Sequence, residues 1–155
     1  MQSAKISFAL TVMMALGLAA CTSEQPESPK EAVERTVKAI KSGAQARSLS
    51  AVMEHISDNY QDHLGQTKSD LRRLVQFQFL RNQNIFIYAD IEELTINDDV
   101  ATVEVNAAMA ARASDLEAKN FLLRADTTRF SVVMRQVEGQ HKWQVESVAW
   151  QSGRR

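Results

Sequence analysis

The stretch IFIYADIEELTINDDVATVEVNAAM, residues 85–109, decides the fold class of this 155-residue chain. Apolar side chains recur at every second position, a spacing typical of strands that bury one face. Asn97-Asp98-Asp99 is a turn cluster between the two halves. A three-residue loop there would set Ile91 opposite Val105, so that the apolar faces of both strands coincide. The stretch therefore predicts an antiparallel hairpin.

A second hairpin is predicted further along the chain, where Glu138-Gly139-Gln140-His141 turns it back. Glycine first in a two-residue loop suits a type II′ turn. That register sets Met134 opposite Val145. It also sets Trp150 opposite Arg129, where the two side chains can form a cation–π contact. The inner face of the four strands is then apolar, with Thr128 and Ser147 as its mildest polar exceptions. Its apolar members are Ile85, Ile87, Ala89, Ile91, Ala101, Val103, Val105, Ala107, Met109, Phe130, Val132, Met134, Trp143 and Val145.

Three helices are predicted before the sheet. Ser28-Pro29-Lys30-Glu31 is a capping box with proline at the first helical position, and Gly43 is the expected left-handed stop. Ser48 is the expected cap of a second helix, and Thr67 of a third, each followed by apolar residues at helical spacing. Residues 111–124 fit either a short helical turn or a loop. Helices followed by a meander of strands indicate an α+β fold with helices on one sheet face.

The first residues of the chain have the layout of a secretory signal peptide. A basic start at Lys5 precedes an apolar run of about fifteen residues, too short to span a bilayer, which takes about twenty. The run ends at Leu18-Ala19-Ala20-Cys21, which resembles a bacterial lipoprotein export signal. The resemblance implies cleavage between Ala20 and Cys21 and acylation of Cys21. In a cell with two membranes, the resemblance also implies an outer-membrane destination facing the periplasm, because Thr22 stands where an aspartate would retain the protein in the inner membrane.

This reading divides the chain into residues 1–20 as signal peptide, 21–27 as lipidated cysteine and tether, 28–151 as one domain and 152–155 as a tail. The whole chain has 18 basic and 19 acidic side chains and a net charge of −1. Loss of Lys5 with the signal makes it −2, a balance that does not favour nucleic acid. The single cysteine rules out an internal disulfide, so packing must supply the stability.

The order of elements resembles the nuclear transport factor 2-like, SnoaL-like cone, which is also called cystatin-like. The resemblance is carried by Asp58-Asn59-Tyr60-Gln61-Asp62 after the second helix and by a last strand that reads WQVESVAW, residues 143–150. It implies N-terminal helices packed on a curved antiparallel sheet. The superfamily includes isomerases, dehydratases, hydrolases, binding proteins and scaffolds, so the resemblance names no activity.

Enzymes of this superfamily place an acid or base inside the cone. The strands predicted here supply none, and only Tyr60, Asp62 and His63, with His55 nearby, are expected at the cone mouth. The same residues also suit structural roles: the aspartate in a turn, the tyrosine ring packed, the histidines solvated. His55, His63 and His141 lie in separate segments without a short ligand pair, so the sequence predicts no metal site and no cofactor.

Two functions remain open. We favour a noncatalytic envelope lipoprotein whose cone is a scaffold or binds an apolar small molecule. The alternative is a small SnoaL-like isomerase or hydrolase that uses Tyr60, Asp62 and His63. Expected partners are the membrane, through the lipid anchor, a hydrophobic ligand, and a second copy or an envelope protein on the outer sheet face.

Overall fold

The computed structural model describes residues 27–110, 127–138 and 142–152. In this part of the chain, three helices precede four strands, as predicted. The helices are α1 (Pro29–Gln45), α2 (Leu49–Met53) and α3 (Lys68–Arg81). The strands are β1 (Phe86–Asn97), β2 (Val100–Ala110), β3 (Thr128–Gln136) and β4 (Trp143–Ser152). The predictions for Cys21, for residues 111–124 and for His141 fall outside the described residues.

The helix starts are confirmed. At α1 the Glu31 carboxylate accepts from the Ser28 backbone N–H at 2.8 Å, and the Glu31 N–H donates to the Ser28 hydroxyl. Ser48 caps α2, since its hydroxyl accepts from the Ala51 N–H. Thr67 begins α3, and Asp70 accepts from its backbone N–H at 2.9 Å. Each pair satisfies backbone donors that the first helical turn leaves open.

The prediction that Gly43 ends α1 is wrong. The helix continues to Gln45, and the residue with positive φ is Arg47, at 56°. Gly43 is buried within the helix, and a Cβ there would lie 3.1 Å from the Cβ of Ala51. Its missing side chain therefore lets α1 approach α2 closely, rather than allowing a left-handed turn.

The four strands form one antiparallel meander in the order β1-β2-β3-β4. Ile91 lies opposite Val105, as predicted. The predicted three-residue loop is wrong, because Asn97 pairs with Val100 and leaves only two residues in the turn, the first of them with a φ of 53°. A β-bulge at Glu92 restores the alignment. One extra residue in the strand thus replaces one residue in the loop.

The second hairpin is confirmed near its turn, where Met134 lies opposite Val145, while the turn itself falls outside the described residues. Beyond it the prediction is wrong. The register shifts at Glu146, so Trp150 lies opposite Phe130 and not opposite Arg129. A shift of one residue moves the following side chains to the other face of the strand.

The core lies between the helices and the inner face of the sheet. Val33, Val103, Met134 and Trp143 are all 0% exposed. Met109 lies on the predicted inner face, opposite Ile87, but it is 53% exposed. It lies next to the end of β2, past Ala107, the last inner-face residue of that strand that packs against the core. The apolar alternation therefore extends beyond the buried part of the sheet.

Candidate functional site

The cone contains an open cavity of about 410 Å³ between the helices and the inner face of the sheet. Its wall is almost wholly apolar, and every strand residue in it is an aliphatic or aromatic side chain. The lining residues are Val37, Ile40, Lys41, Ala44, Ile56, Tyr60, Asp62, Gln66, Leu71, Leu74, Ile87, Ala89, Val105, Phe130, Val132, Val145, Val148 and Trp150.

The segment between α2 and α3 forms one side of this cavity because it is hydrogen-bonded along β4. The Ser57 N–H donates to the Val145 carbonyl at 2.9 Å, and the His63 N–H donates to the Val148 carbonyl at 3.1 Å. Between them, the Gln61 N–H donates to the Glu146 carbonyl at 3.0 Å. Side chains in such an extended segment alternate, so those of residues 60 and 62 are buried while those of 61 and 63 are exposed. The segment also covers the edge of β4.

Tyr60 lies in the cavity wall and is 4% exposed. Burial, with a smaller contribution from the nearby Asp62 carboxylate, raises the pKa of the Tyr60 hydroxyl to about 12. The hydroxyl therefore keeps its proton at neutral pH. It can donate a hydrogen bond to a molecule in the cavity but is a weak acid there.

Asp62 also lines the cavity, and it is 7% exposed. Its Oδ1 accepts from the backbone N–H groups of Leu64 and Gln66, each at 2.9 Å. The turn that it holds includes Gly65, which has a φ of 79°. This carboxylate therefore organises the chain before α3, which is the structural role considered from the sequence, and it also reaches the cavity wall.

The two histidines near the mouth are not in the cavity wall. The exposed His63 ring meets Trp150 edge to face, with 4.1 Å between ring centroids and an interplanar angle of 84°. His55 has a buried Nδ1 without a hydrogen-bond partner in the described part of the chain, and burial lowers the pKa of its imidazole. Of the three predicted rim residues, Tyr60 and Asp62 line the cavity. His63 does not line it but contacts Trp150, which does.

Two strand residues of the cavity, Val148 and Trp150, are absent from the inner face predicted from the sequence. Both follow the bulge at Glu146, and Val148 now lies opposite Val132 on the inner face. Ser147, predicted to face inward, instead lies opposite Val133. Glu146 accepts from Arg135 at 3.1 Å across the outer face, a pairing that accompanies the bulge. The repeated Val and Trp in the last strand were the available signal, but alternation alone cannot locate a bulge.

The outer face of the sheet carries paired charges. Arg129 pairs with Glu92 at 2.9 Å, and Arg135 pairs with Asp99 at 2.9 Å. The cation–π contact expected between Arg129 and Trp150 is not formed, because Arg129 lies opposite Gln151. Within the described residues, no group of three metal-ligating side chains comes together, and no helix there is long and apolar enough to cross a membrane.

No family model matches this chain, and no curated protein matches it. Among solved structures, a protein described as a scytalone dehydratase from Novosphingobium aromaticivorans has a TM-score of 0.62 at 10% identity, over 81% of this chain and 84% of that one. A nuclear transport factor 2-like protein of unknown function from Silicibacter pomeroyi has a TM-score of 0.59 at 10% identity, over 82% of this chain and 100% of that one.

Bd1075 from Bdellovibrio bacteriovorus has a TM-score of 0.62 at 8% identity, over 79% of this chain but only 40% of that protein. At these identities the likeness shows the fold alone. The helices packed on a four-stranded antiparallel meander agree with it. The chain therefore has the nuclear transport factor 2-like, or cystatin-like, α+β fold.

Proposed function

We propose that this protein is a noncatalytic envelope lipoprotein whose cone binds an apolar small molecule. The observation that carries the proposal is the open apolar cavity. Its volume of about 410 Å³ falls in the range of roughly 300–1,000 Å³ that small-molecule sites occupy. A filled core has no room for a ligand. In an open apolar cavity, an apolar molecule that displaces water from the wall lowers the free energy, because apolar surface is removed from water.

The wall also has the polar composition that such sites need. Tyr60, Asp62 and Gln66 all lie on the segment that runs from α2 to the start of α3, while the strands opposite are apolar. A few polar groups on one side of an apolar pocket orient a ligand without dominating its affinity. This arrangement favours a ligand with an apolar body and a small polar end.

The lipoprotein part of the proposal rests on the sequence before the described residues. Cys21 would carry the lipid anchor, and the tether that follows is short. Six extended residues reach only about 20 Å. The cone would therefore stay close to the outer membrane, which is itself a source of apolar molecules.

The cavity can be tested with the fluorescent apolar amine N-phenyl-1-naphthylamine and the purified full-length protein. Ala89 lines the cavity from β1, so Ala89→Phe places a ring in the space that the probe would occupy. We expect this substitution to raise the Kd of the probe by about tenfold or more, since it overfills the site. Fluorescence titration measures the change.

The matched control is Asp90→Phe, because Asp90 is the next residue and its exposed side chain points to the opposite face of β1. We expect its Kd to stay within about twofold of the original protein, as for most surface changes. Circular dichroism would check that both variants are folded. If the original protein does not bind the probe, or if both variants bind it equally well, the proposal fails.

The enzyme alternative has one specific observation in its favour. Tyr60 and Asp62 are both buried at the cavity wall, and the Asp62 charge contributes to the raised pKa of the tyrosine. A small isomerase or hydrolase of the SnoaL-like kind would use these two groups, with His63 near Trp150. Against it, Asp62 already accepts two backbone hydrogen bonds, and the strands add no second acid or base to the wall.

A further inference from the structure

One cation lies among the residues that line the cavity. Lys41 is on α1 and shares the cavity wall with Val37, Ile40 and Ala44. Its side chain is half-buried there, whereas Lys38, on the same helix, is exposed and does not line the cavity. Lys41 therefore contributes to the cavity wall, and its long apolar stem suits an almost wholly apolar surface while the ammonium group can reach the cavity mouth.

Lys41 has no carboxylate within 4.0 Å in the described part of the chain. Some other basic residues do have one, since Lys68 is 2.8 Å from Asp58 and Arg129 is 2.9 Å from Glu92, whereas the exposed Lys38 has none among the described residues. The one acid in the cavity wall, Asp62, has its Oδ1 occupied by two backbone N–H groups. The wall thus holds two charged residues, of which Asp62 is bound to the backbone while Lys41 has no ion pair among the described residues.

We infer that the cone binds an amphipathic anion, with a carboxylate head paired to the Lys41 ammonium and an apolar tail along the strands. The inference rests on the proposed function and names its ligand class. A charge-assisted hydrogen bond beside apolar surface is stronger than one in water, because fewer water molecules compete for the charge. A carboxylate supplies the single negative charge that one lysine can neutralise. The apolar strand residues then accept an alkyl or aromatic body.

The test compares dodecanoate with its neutral counterpart, 1-dodecanol, at pH 8 and below the concentrations at which they aggregate. Calorimetry gives the Kd of each for the purified full-length protein, for Lys41→Met and for Lys38→Met. Methionine keeps an unbranched apolar stem and removes the charge. Lys38→Met removes a charge from the same helix outside the cavity, so it controls for the net charge of the protein.

We expect Lys41→Met to weaken dodecanoate binding by roughly tenfold, in line with a hydrogen bond to a charged group, and to leave the Kd of 1-dodecanol within about twofold. Lys38→Met should leave both values unchanged. A loss of affinity for dodecanoate without a loss for 1-dodecanol supports the inference. Equal binding of dodecanoate by the original protein and Lys41→Met overturns it, as does an equal loss for acid and alcohol, which would show that the lysine stem only packs.

These outcomes are separable from the proposed function. If the original protein binds 1-dodecanol and dodecanoate with the same Kd, the cone is a site for apolar molecules without a charge preference, and only the inference about Lys41 is wrong. If it binds neither, the cavity is not a site for molecules of this kind, and the proposed function fails together with the inference.

Discussion

Asp62 shows how one side chain can be buried for a structural reason inside a candidate site. Its Oδ1 accepts from the Leu64 and Gln66 N–H groups, and its own N–H donates to the Gln66 carbonyl at 3.1 Å. Without the carboxylate, two backbone donors would lose their partner next to a mostly apolar wall. Leu64 is 62% exposed, so water can replace part of the lost bonding, and the total cost is about 1–3 kcal/mol.

We therefore predict that Asp62→Ala lowers the free energy of unfolding by about 1–3 kcal/mol, while Asp62→Asn, which keeps an oxygen acceptor, lowers it less. Chemical denaturation measures both. We also expect no turnover of an ester, lactone or ketosteroid panel that depends on this carboxylate. Turnover by the original protein that disappears in a folded Asp62→Asn would contradict the noncatalytic proposal and favour the enzyme.

At the scale of the elements, the β4 bulge decides what the cavity contains. It brings Val148 and Trp150 inward and turns Ser147 outward, opposite to a strict alternation counted from Val145. Val148 lies opposite Val132 in the wall, and Ser147 lies opposite Val133 on the other face. Neighbouring residues of one strand thus have different surroundings, and this difference can be measured.

Val148→Asp should destabilise the domain by about 1–3 kcal/mol, since it places a polar group in an apolar wall without a partner. Ser147→Asp, one residue earlier and facing out, should change the free energy of unfolding by less than about 0.5 kcal/mol. Thermal unfolding of the two variants side by side gives the comparison. The reverse order of destabilisation would show that β4 continues without a bulge.

The elements predictable from the sequence are those set by local chemistry. Residue type and spacing predict the capping box at Ser28, the start of α3 at Thr67 and the pairing of Met134 with Val145, and all three are confirmed. Gly43 was misplaced because its role depends on Ala51 of another helix. The bulges at Glu92 and Glu146 were missed for a similar reason, since pairing across strands determines where an extra residue fits.

The candidate site was predictable only in part. Tyr60 and Asp62 were expected at the cone mouth because they follow α2, and they do line the cavity. Lys41 was not expected, since a lysine on an amphipathic helix usually lies in solvent, and its place in the wall depends on how α1 crosses the sheet. Trp150 was placed on the wrong face because of the bulge. Spacing in the sequence therefore predicts Tyr60 and Asp62, whereas Lys41 and Trp150 line the cavity because of how the elements pack and pair.

At the scale of the whole molecule, the proposed anchor determines where the cone acts. The Glu27 carboxylate accepts from Arg35 at 2.7 and 2.9 Å, and Glu27 follows Cys21 by six residues in the sequence. No helix in the described ranges can cross a membrane. In the proposed function, acylation of Cys21 attaches the protein to the membrane, and two or more acyl chains hold a protein stably where one alone does so marginally.

Cys21→Ser should move the protein from the membrane fraction to the soluble fraction after a high-salt wash, because serine lacks the thiol that would be acylated. Ser23→Ala, a change of similar size in the same tether, should leave the protein in the membrane fraction. Immunoblotting of the two fractions measures the distribution, and mass spectrometry of the N-terminal peptide measures the acyl mass on Cys21. An unmodified Cys21 in the original protein, or retention of Cys21→Ser in washed membranes, would contradict the lipid anchor at Cys21.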